Sequence, residues 1–158
     1  MKKVISFLFI LIAFTSCTED VKFNSPSVQG LKDNVLWRAN DYRATIGVNN
    51  SLTIQAYSQF ETLTLQTTST NPGTYILGTS DSKKVTFVYS NEGVVLNYAT
   101  GTGIGDGQIV ITEFDPINMT VSGNFRFNAE NIDDNPLGGE ILNFQHGVFY
   151  KIPIYPTL

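Results

Sequence analysis

The sequence predicts an all-β fold: one antiparallel β-sandwich or barrel-like domain of about ten short strands, behind a cleaved lipoprotein signal. Three observations predict it. Apolar residues alternate with Thr, Gln and Ser in segment after segment, the period of strands with one buried face. Turn residues recur between these segments at intervals of roughly 8–12 residues. After Cys17 no segment keeps a helical apolar period over several turns. The 11 Phe and 7 Tyr, with abundant Thr, Val and Ile, suit a pleated, half-buried surface.

The elements follow in order. Lys2 and Lys3 precede an uncharged apolar stretch over residues 4–14. That stretch is shorter than the roughly 20 residues of a spanning helix but suits a secretory signal. Phe14-Thr15-Ser16-Cys17 resembles the lipobox of diacylglycerol-modified lipoproteins, with Phe where Leu is usual. Residues 1–16 are therefore expected to be a signal peptide, and Cys17 the lipidated first residue of the mature chain. An orphan thiol in an exported protein calls for such an explanation. Acyl chains on the sulfur and amino group would anchor it stably, since durable attachment takes about two lipid signals. Residues 17–30 read as the lipidated cysteine and a polar tether, and residues 31–158 as the globular domain. Glu19-Asp20 read either as a surface-export signal or as an ordinary solvated pair.

Strand patterns are expected at 35–39, 42–48, 51–57, 60–67, 74–77, 84–90 and 94–98. Asn49-Asn50, Asn71-Pro72-Gly73 and Asn91-Glu92-Gly93 supply turns among them. Residues 101–107 read as a flexible glycine-rich hairpin connection. Residues 107–114 and 117–129 form a pair around Asp115-Pro116. In the second, Met119, Val121, Gly123, Phe125 and Phe127 share one face, and Gly123 marks a bulge or close backbone approach. A polar loop over 131–140 precedes a last hairpin, 141–144 with 148–152.

The net charge is −4; without Lys2 and Lys3 the chain keeps 8 basic against 14 acidic side chains, a balance of −6. The basic residues form no stripe, so nucleic acid is excluded as a partner. Charge-driven docking to anionic lipid is excluded on the same ground, which leaves anchoring to the acyl chains. Without a second cysteine no disulfide braces the exported domain, and its core must hold it.

The runs Gly107-Gln108-Ile109-Val110-Ile111-Thr112, Ser122-Gly123-Asn124-Phe125-Arg126-Phe127 and Gly147-Val148-Phe149 form a pattern. With Trp37 and Gly73-Thr74-Tyr75-Ile76-Leu77 it spans most of the mature chain. It resembles a family of small Bacteroidota lipoproteins that carry the domain of unknown function 6252. The resemblance implies a β-rich fold and an envelope location, in the outer membrane with the domain facing the periplasm or the cell surface. It brings no established activity and no catalytic residue.

Four features invite chemistry. His146, the only histidine, would need a nucleophile and an orienting acid to act as a base. In His146-Gly147 it reads instead as a turn residue in a left-handed conformation. Gly101 to Gly107 imitates a phosphate loop, but it lacks the third glycine, the lysine and the following helix. Asp133, Asp134, Asn135 and Glu140, with Glu130, offer oxygen ligands for Ca²⁺, although Leu137 breaks the EF-hand spacing. Trp37 and the other aromatics read as core or as a ligand-stacking platform. No cofactor is implied. The expectation is a non-catalytic binding or accessory lipoprotein, held to the membrane through Cys17 and meeting a protein or small-ligand partner. The alternatives are a carrier of a small apolar ligand in a barrel cavity and a hydrolase using His146.

Cys17→Ala is expected to abolish incorporation of radiolabelled fatty acid and to shift the protein from the membrane to the soluble fraction. Label persisting on the variant would refute the anchor.

Overall fold

The structure is a computed structural model that describes residues 25–156. Cys17, the expected signal over 1–16 and the Glu19-Asp20 pair lie outside the described residues.

Eleven strands follow one another among these residues: β1 (Ser27–Lys32), β2 (Val35–Arg38), β3 (Asp41–Ile46), β4 (Leu52–Tyr57), β5 (Glu61–Thr67), β6 (Gly73–Leu77), β7 (Lys84–Asn91), β8 (Val94–Ala99), β9 (Asp106–Asp115), β10 (Thr120–Asn131) and β11 (Ile141–Pro156). The all-β, sandwich- or barrel-like expectation holds. One half is the antiparallel array β2-β1-β11-β10-β9-β6; the other is β3-β4-β5-β7-β8. Two corners join them. Residues 154–156 of β11 run parallel to residues 44–46 of β3. Glu130 and Asn131 of β10 pair with Ala99 and Tyr98 of β8. Seven strands thus close into a ring, leaving β2 and β6 as edges.

The core fills the ring. Phe87, Phe125, Phe127, Phe144 and Phe149 are its largest fully buried side chains. Phe144 is the hub: its ring centroid lies 5.1 Å from Phe127, 5.5 Å from Trp37, 5.7 Å from Phe125 and 6.1 Å from Phe87. It therefore ties β2, β7, β10 and β11 together. Such ring pairs contribute about 0.5–1.5 kcal/mol each beyond area burial. Trp37 is buried and edge-on to Phe144, so it and these phenylalanines are core rather than a stacking platform.

The β10–β11 pair is the longest contact and depends on glycine. Gly123 lies opposite Phe149, and Phe125 opposite Gly147. A Cβ on Gly123 would meet the Val110 carbonyl oxygen at 2.0 Å and the Phe149 ring at 2.4 Å. A Cβ on Gly147 would meet the Phe125 ring at 2.5 Å. Each Gly-x-Phe run thus lays its ring over the glycine of the other strand, and the close approach expected at Gly123 is there.

Three expectations need correction. First, 141–144 and 148–152 are not a hairpin but one strand, β11, 16 residues long. Between the pairs Phe127↔Phe144 and Phe125↔Gly147, β11 carries one residue more than β10. His146 takes up the excess with φ 51°, so the left-handed reading of His146 was right and the chain reversal was not. A second bulge lies between Phe149 and Ile152, with Lys151 at φ 48°. The freed Lys151 amide donates to Ser122 Oγ at 3.0 Å. Phe144 and Phe149 are five residues apart, and a regular strand would send them to opposite faces. The bulge turns both inward, and the same break in alternation imitated a turn.

Second, the expected tether reached residue 30, yet β1 begins at Ser27 and Val28 is fully buried. Only one large apolar side chain of 27–30 faces the core; the next inward position is Gly30, against Gly147, so the alternation was too sparse to read. Third, β10 begins at Thr120 rather than 117. Met119 sits in the preceding turn at φ 49° and is exposed, not on the inward face of Val121 to Phe127.

An ion-pair network closes the β1–β2 side over β5. Lys32 Nζ pairs with Glu61 Oε1, Trp37 Nε1 donates to Glu61 Oε2 at 2.5 Å, and Ser58 Oγ donates to the same oxygen at 2.9 Å. Burial, the largest single influence, pushes the Glu61 carboxyl up. The hydrogen bonds from Lys32, Ser58 and Trp37, with the Lys32 charge, outweigh it and hold the group below its ordinary value of 4.5.

Gly147→Ala is expected to cost about 1–3 kcal/mol and Gly123→Ala at least about 3 kcal/mol, through overpacking. Gly139→Ala, with only the Ile141 carbonyl oxygen nearby at 3.8 Å, should stay within about 0.5 kcal/mol. Urea midpoints at constant slope measure all three. Because Glu61 is held low in the fold, its contribution is present above the unfolded-state value and fades as pH falls through the folded one. Glu61→Gln should therefore be less stable than wild type at pH 7, and the gap should close as pH falls through the folded-state value. Equal midpoints at every pH would refute that role.

Candidate functional site

The outer face of β9–β10–β11 carries what the core does not use. Ile109, Ile111, Phe125, Phe127 and Phe144 turn inward, so Gln108, Asn124 and Arg126 turn outward. Gln108 lies directly opposite Arg126. At Arg126 the β11 bulge decides the geometry. Two residues, Gln145 and His146, stand between the β11 partners of Phe125 and Phe127, where a regular strand would offer one. Bulges re-aim side chains in this way. Gln108, Asn124, Arg126, Gln145, His146 and Val148 consequently surround an open depression of ≈ 560 Å³.

A second lobe of ≈ 250 Å³ continues from it past Gln108, Arg126 and Gln145 towards Ile76 and Asp106. Its floor is fixed. Asn128 Nδ2 donates to Asp106 Oδ1 at 3.0 Å, and Asn143 Nδ2 donates to Asn128 Oδ1 at 2.6 Å. By contrast, no hydrogen bond or ion pair engages the side chains of Gln108, Asn124, Arg126, Gln145 or His146 among the described residues. The trough presents one cation, one imidazole and three amides with free donors and acceptors.

The acidic loop is arranged differently. Asp133 Oδ2 accepts from Asn97 Nδ2 at 2.5 Å, and Asn135 Nδ2 donates to the Val95 carbonyl at 2.9 Å. Asn135 Oδ1 accepts from the Leu137 amide at 3.0 Å. Glu130 Oε1 accepts from the Gly105 amide at 2.8 Å. Asp134 and Glu140 line a depression of ≈ 460 Å³ with Glu130 and Asn135. Among the described residues no three His, Cys, Asp or Glu side chains gather as a metal would require. Asp133 and Asn135 thus pin the loop to β8, and Glu130 ties the end of β10 to the glycine-rich segment; the Asp134 and Glu140 carboxylates make no hydrogen bond among the described residues.

That segment is not the expected flexible hairpin connection. It links β8 to β9, which do not pair, and so crosses between the two halves. Gly101 bridges Ile104, and Asp81 accepts from the Thr102 amide at 3.0 Å and from Thr102 Oγ1 at 3.1 Å. These hydrogen bonds hold the Asp81 carboxyl below its ordinary value, with the Thr102 amide the larger cause. No free row of amides remains there for a phosphate.

His146 stands exposed at the trough rim and makes no hydrogen bond to an acid, serine or threonine among the described residues. Its expected catalytic partners are not assembled around it. The trough residues Gln108, Asn124, Arg126 and Gln145 were not singled out from the sequence. The signal was present in Asn124, Arg126 and Asn128, the polar positions between the phenylalanines. Alternation marks these positions only as the side of the strand away from the phenylalanines.

A family model described as a domain of unknown function (DUF6252) matches residues 24–153. No curated protein and no solved structure matches the chain.

Proposed function

This chain belongs to the DUF6252 family, and on that premise we propose that it is a non-catalytic binding module of the cell envelope. It is an outer-membrane lipoprotein attached through acylated Cys17, and the β9–β10–β11 trough is its recognition surface. The observation that carries this reading is the contrast in how polar side chains are used. In the glycine-rich segment, in the Glu61 network and at Asp133 and Asn135 of the acidic loop they bond to neighbouring groups. In the trough, five polar side chains carried on three paired strands make no hydrogen bond or ion pair among the described residues. Holding unused donors and acceptors in fixed positions lowers the ordering cost of binding.

The chemistry of the lining selects the ligand. Gln108, Asn124 and Gln145 offer paired donors and acceptors suited to hydroxyl groups. Arg126 offers the planar fork that matches a carboxylate. An open depression continuing into a second lobe accommodates an extended chain. A hydroxyl-rich oligomer bearing carboxylates, such as an acidic oligosaccharide, meets all three conditions. An apolar ligand does not, and the interior where a carrier would hold one is filled by the five phenylalanines.

Calorimetric titration with oligogalacturonate, oligoalginate and neutral dextran oligomers tests the reading. Binding of an acidic oligomer is expected, with Arg126→Ala weakening it about tenfold or more, the scale of one charge-assisted contact. Binding that ignores Arg126→Ala, or no response to any oligomer, would overturn it.

A further inference from the structure

We infer that the corner of the domain formed by the β3–β4 and β9–β10 turns is a membrane-docking surface, seated on the lipid leaflet that holds the anchor. The inference rests on the acylated Cys17 proposed above and adds a second, non-covalent contact.

Ile117 is 90% exposed and Val48 86%, the two highest values among the large apolar side chains. They occupy separate turns that the fold brings to one corner. Val48 follows the end of β3, where Ile46 pairs with Pro156 of β11. Ile117 precedes Met119, whose carbonyl accepts from the Ile154 amide at 2.9 Å. Exposed Tyr155 lies between these two contacts along β11. Val48, Ile117, Met119 and Tyr155 thus cluster where β11 crosses from one half of the fold to the other. Tyrosine is the residue that suits an interface with one apolar and one wet side.

The chain enters the domain on the side that leads to this corner: Ser27 pairs with Tyr150, four residues before Ile154 along β11, and Tyr42 Oη donates to the Pro26 carbonyl at 2.7 Å. Eight residues, 18–25, separate Cys17 from Pro26. They reach at most about 30 Å extended and about 16 Å as a flexible coil. An acylated Cys17 on so short a tether brings this end of β11, rather than the 131–140 loop at the far end of β10, towards the headgroups.

The two tips are also built to enter a layer poor in water. A backbone group taken there needs its partner already in place. In the first turn the Gly47 amide donates to the Ser51 carbonyl at 2.8 Å, and Ser51 Oγ donates to the Val48 carbonyl at 3.0 Å. In the second, Asp115 Oδ1 accepts from the Ile117 amide at 2.9 Å and the Asn118 amide at 3.0 Å. Asn118 Nδ2 donates to Asp115 Oδ2 at 2.6 Å. Three donors thus satisfy the one carboxylate beside Ile117. The second turn satisfies its carboxylate internally; the first is braced by Gly47 and Ser51 and leaves Asn49 and Asn50 exposed; each projects an aliphatic side chain. Apolar side chains at such an interface bury about 5–10 Å into the headgroup and acyl boundary.

The test uses the full acylated protein in unilamellar vesicles of phosphatidylethanolamine and phosphatidylglycerol. The vesicles include a phosphatidylcholine with a photoactivatable diazirine near the top of one acyl chain. After flotation and illumination, lipid adducts are expected on the peptides containing Val48 and Ile117 and not on the 131–140 loop. In a Val48→Asp, Ile117→Asp double variant, flotation and the urea midpoint should be unchanged. Adduct yield should fall about fivefold or more, as expected once charge replaces the inserted groups. Flotation without adducts at the two tips, or adducts undiminished in the double variant, would overturn the docking and leave the anchor standing. Failure of the wild-type protein to float would overturn the anchor and the docking together.

Discussion

Two glycines facing two phenylalanines determine how this molecule is put together. Gly123 opposite Phe149 and Gly147 opposite Phe125 let β10 and β11 carry aromatic rings over each other's backbone. Any side chain at either glycine would occupy the ring's place. That reciprocity seats Phe125 and Phe149 in the interior, next to the Phe144 hub that touches Trp37, Phe87, Phe125 and Phe127. β11 then pairs with β10, β1 and finally β3, so the placement of one strand fixes both halves of the fold.

The same strand makes the surface. An antiparallel strand that must face Leu142, Phe144, Phe149, Ile152 and Ile154 inward cannot do so with a strict period of two. It needs an extra residue after Phe144 and another after Phe149, and the fold places them at His146 and Lys151. The first bulge satisfies the core and simultaneously sets Gln145 and His146 side by side beside Arg126. A requirement of packing is therefore also what shapes the trough. The second places the Lys151 amide on the Ser122 hydroxyl near the corner where Met119 and Tyr155 gather.

Polar groups divide into two populations. Asp81, Thr102, Asn131, Asp133 and Asn135 in the loops, and the groups around Glu61, are spent on neighbouring groups. They fasten connections that would otherwise be costly to order. On the outer face of β9–β10–β11, Asp106, Asn128 and Asn143 bond to one another, while Gln108, Asn124, Arg126, Gln145 and His146 are unspent among the described residues. The apolar side chains divide likewise, into an aromatic interior and a few aliphatic tips on turns braced by hydrogen bonds. A module carrying unspent polar groups on one face and apolar tips on the side where its chain enters is suited to hold one thing while resting against another.

By itself the sequence determined the class of fold, most strand positions from β2 to β9, and the close approach at Gly123. Those rest on local alternation and turn chemistry, which neighbouring residues express directly. It also showed that His146 would adopt a left-handed conformation. Only the tertiary structure decided that His146 sits in a bulge rather than a hairpin. A local break in alternation reads alike in both, and the choice belongs to the partner strands. The same holds for β1, whose Val28 and Gly30 become core positions only against β11. It holds for the trough too, since Gln108, Arg126 and Gln145 lie on three strands and meet only through register. Alternation reports which side of a strand faces in. What assembles on the other side is set by which strands lie beside it, and that information is non-local.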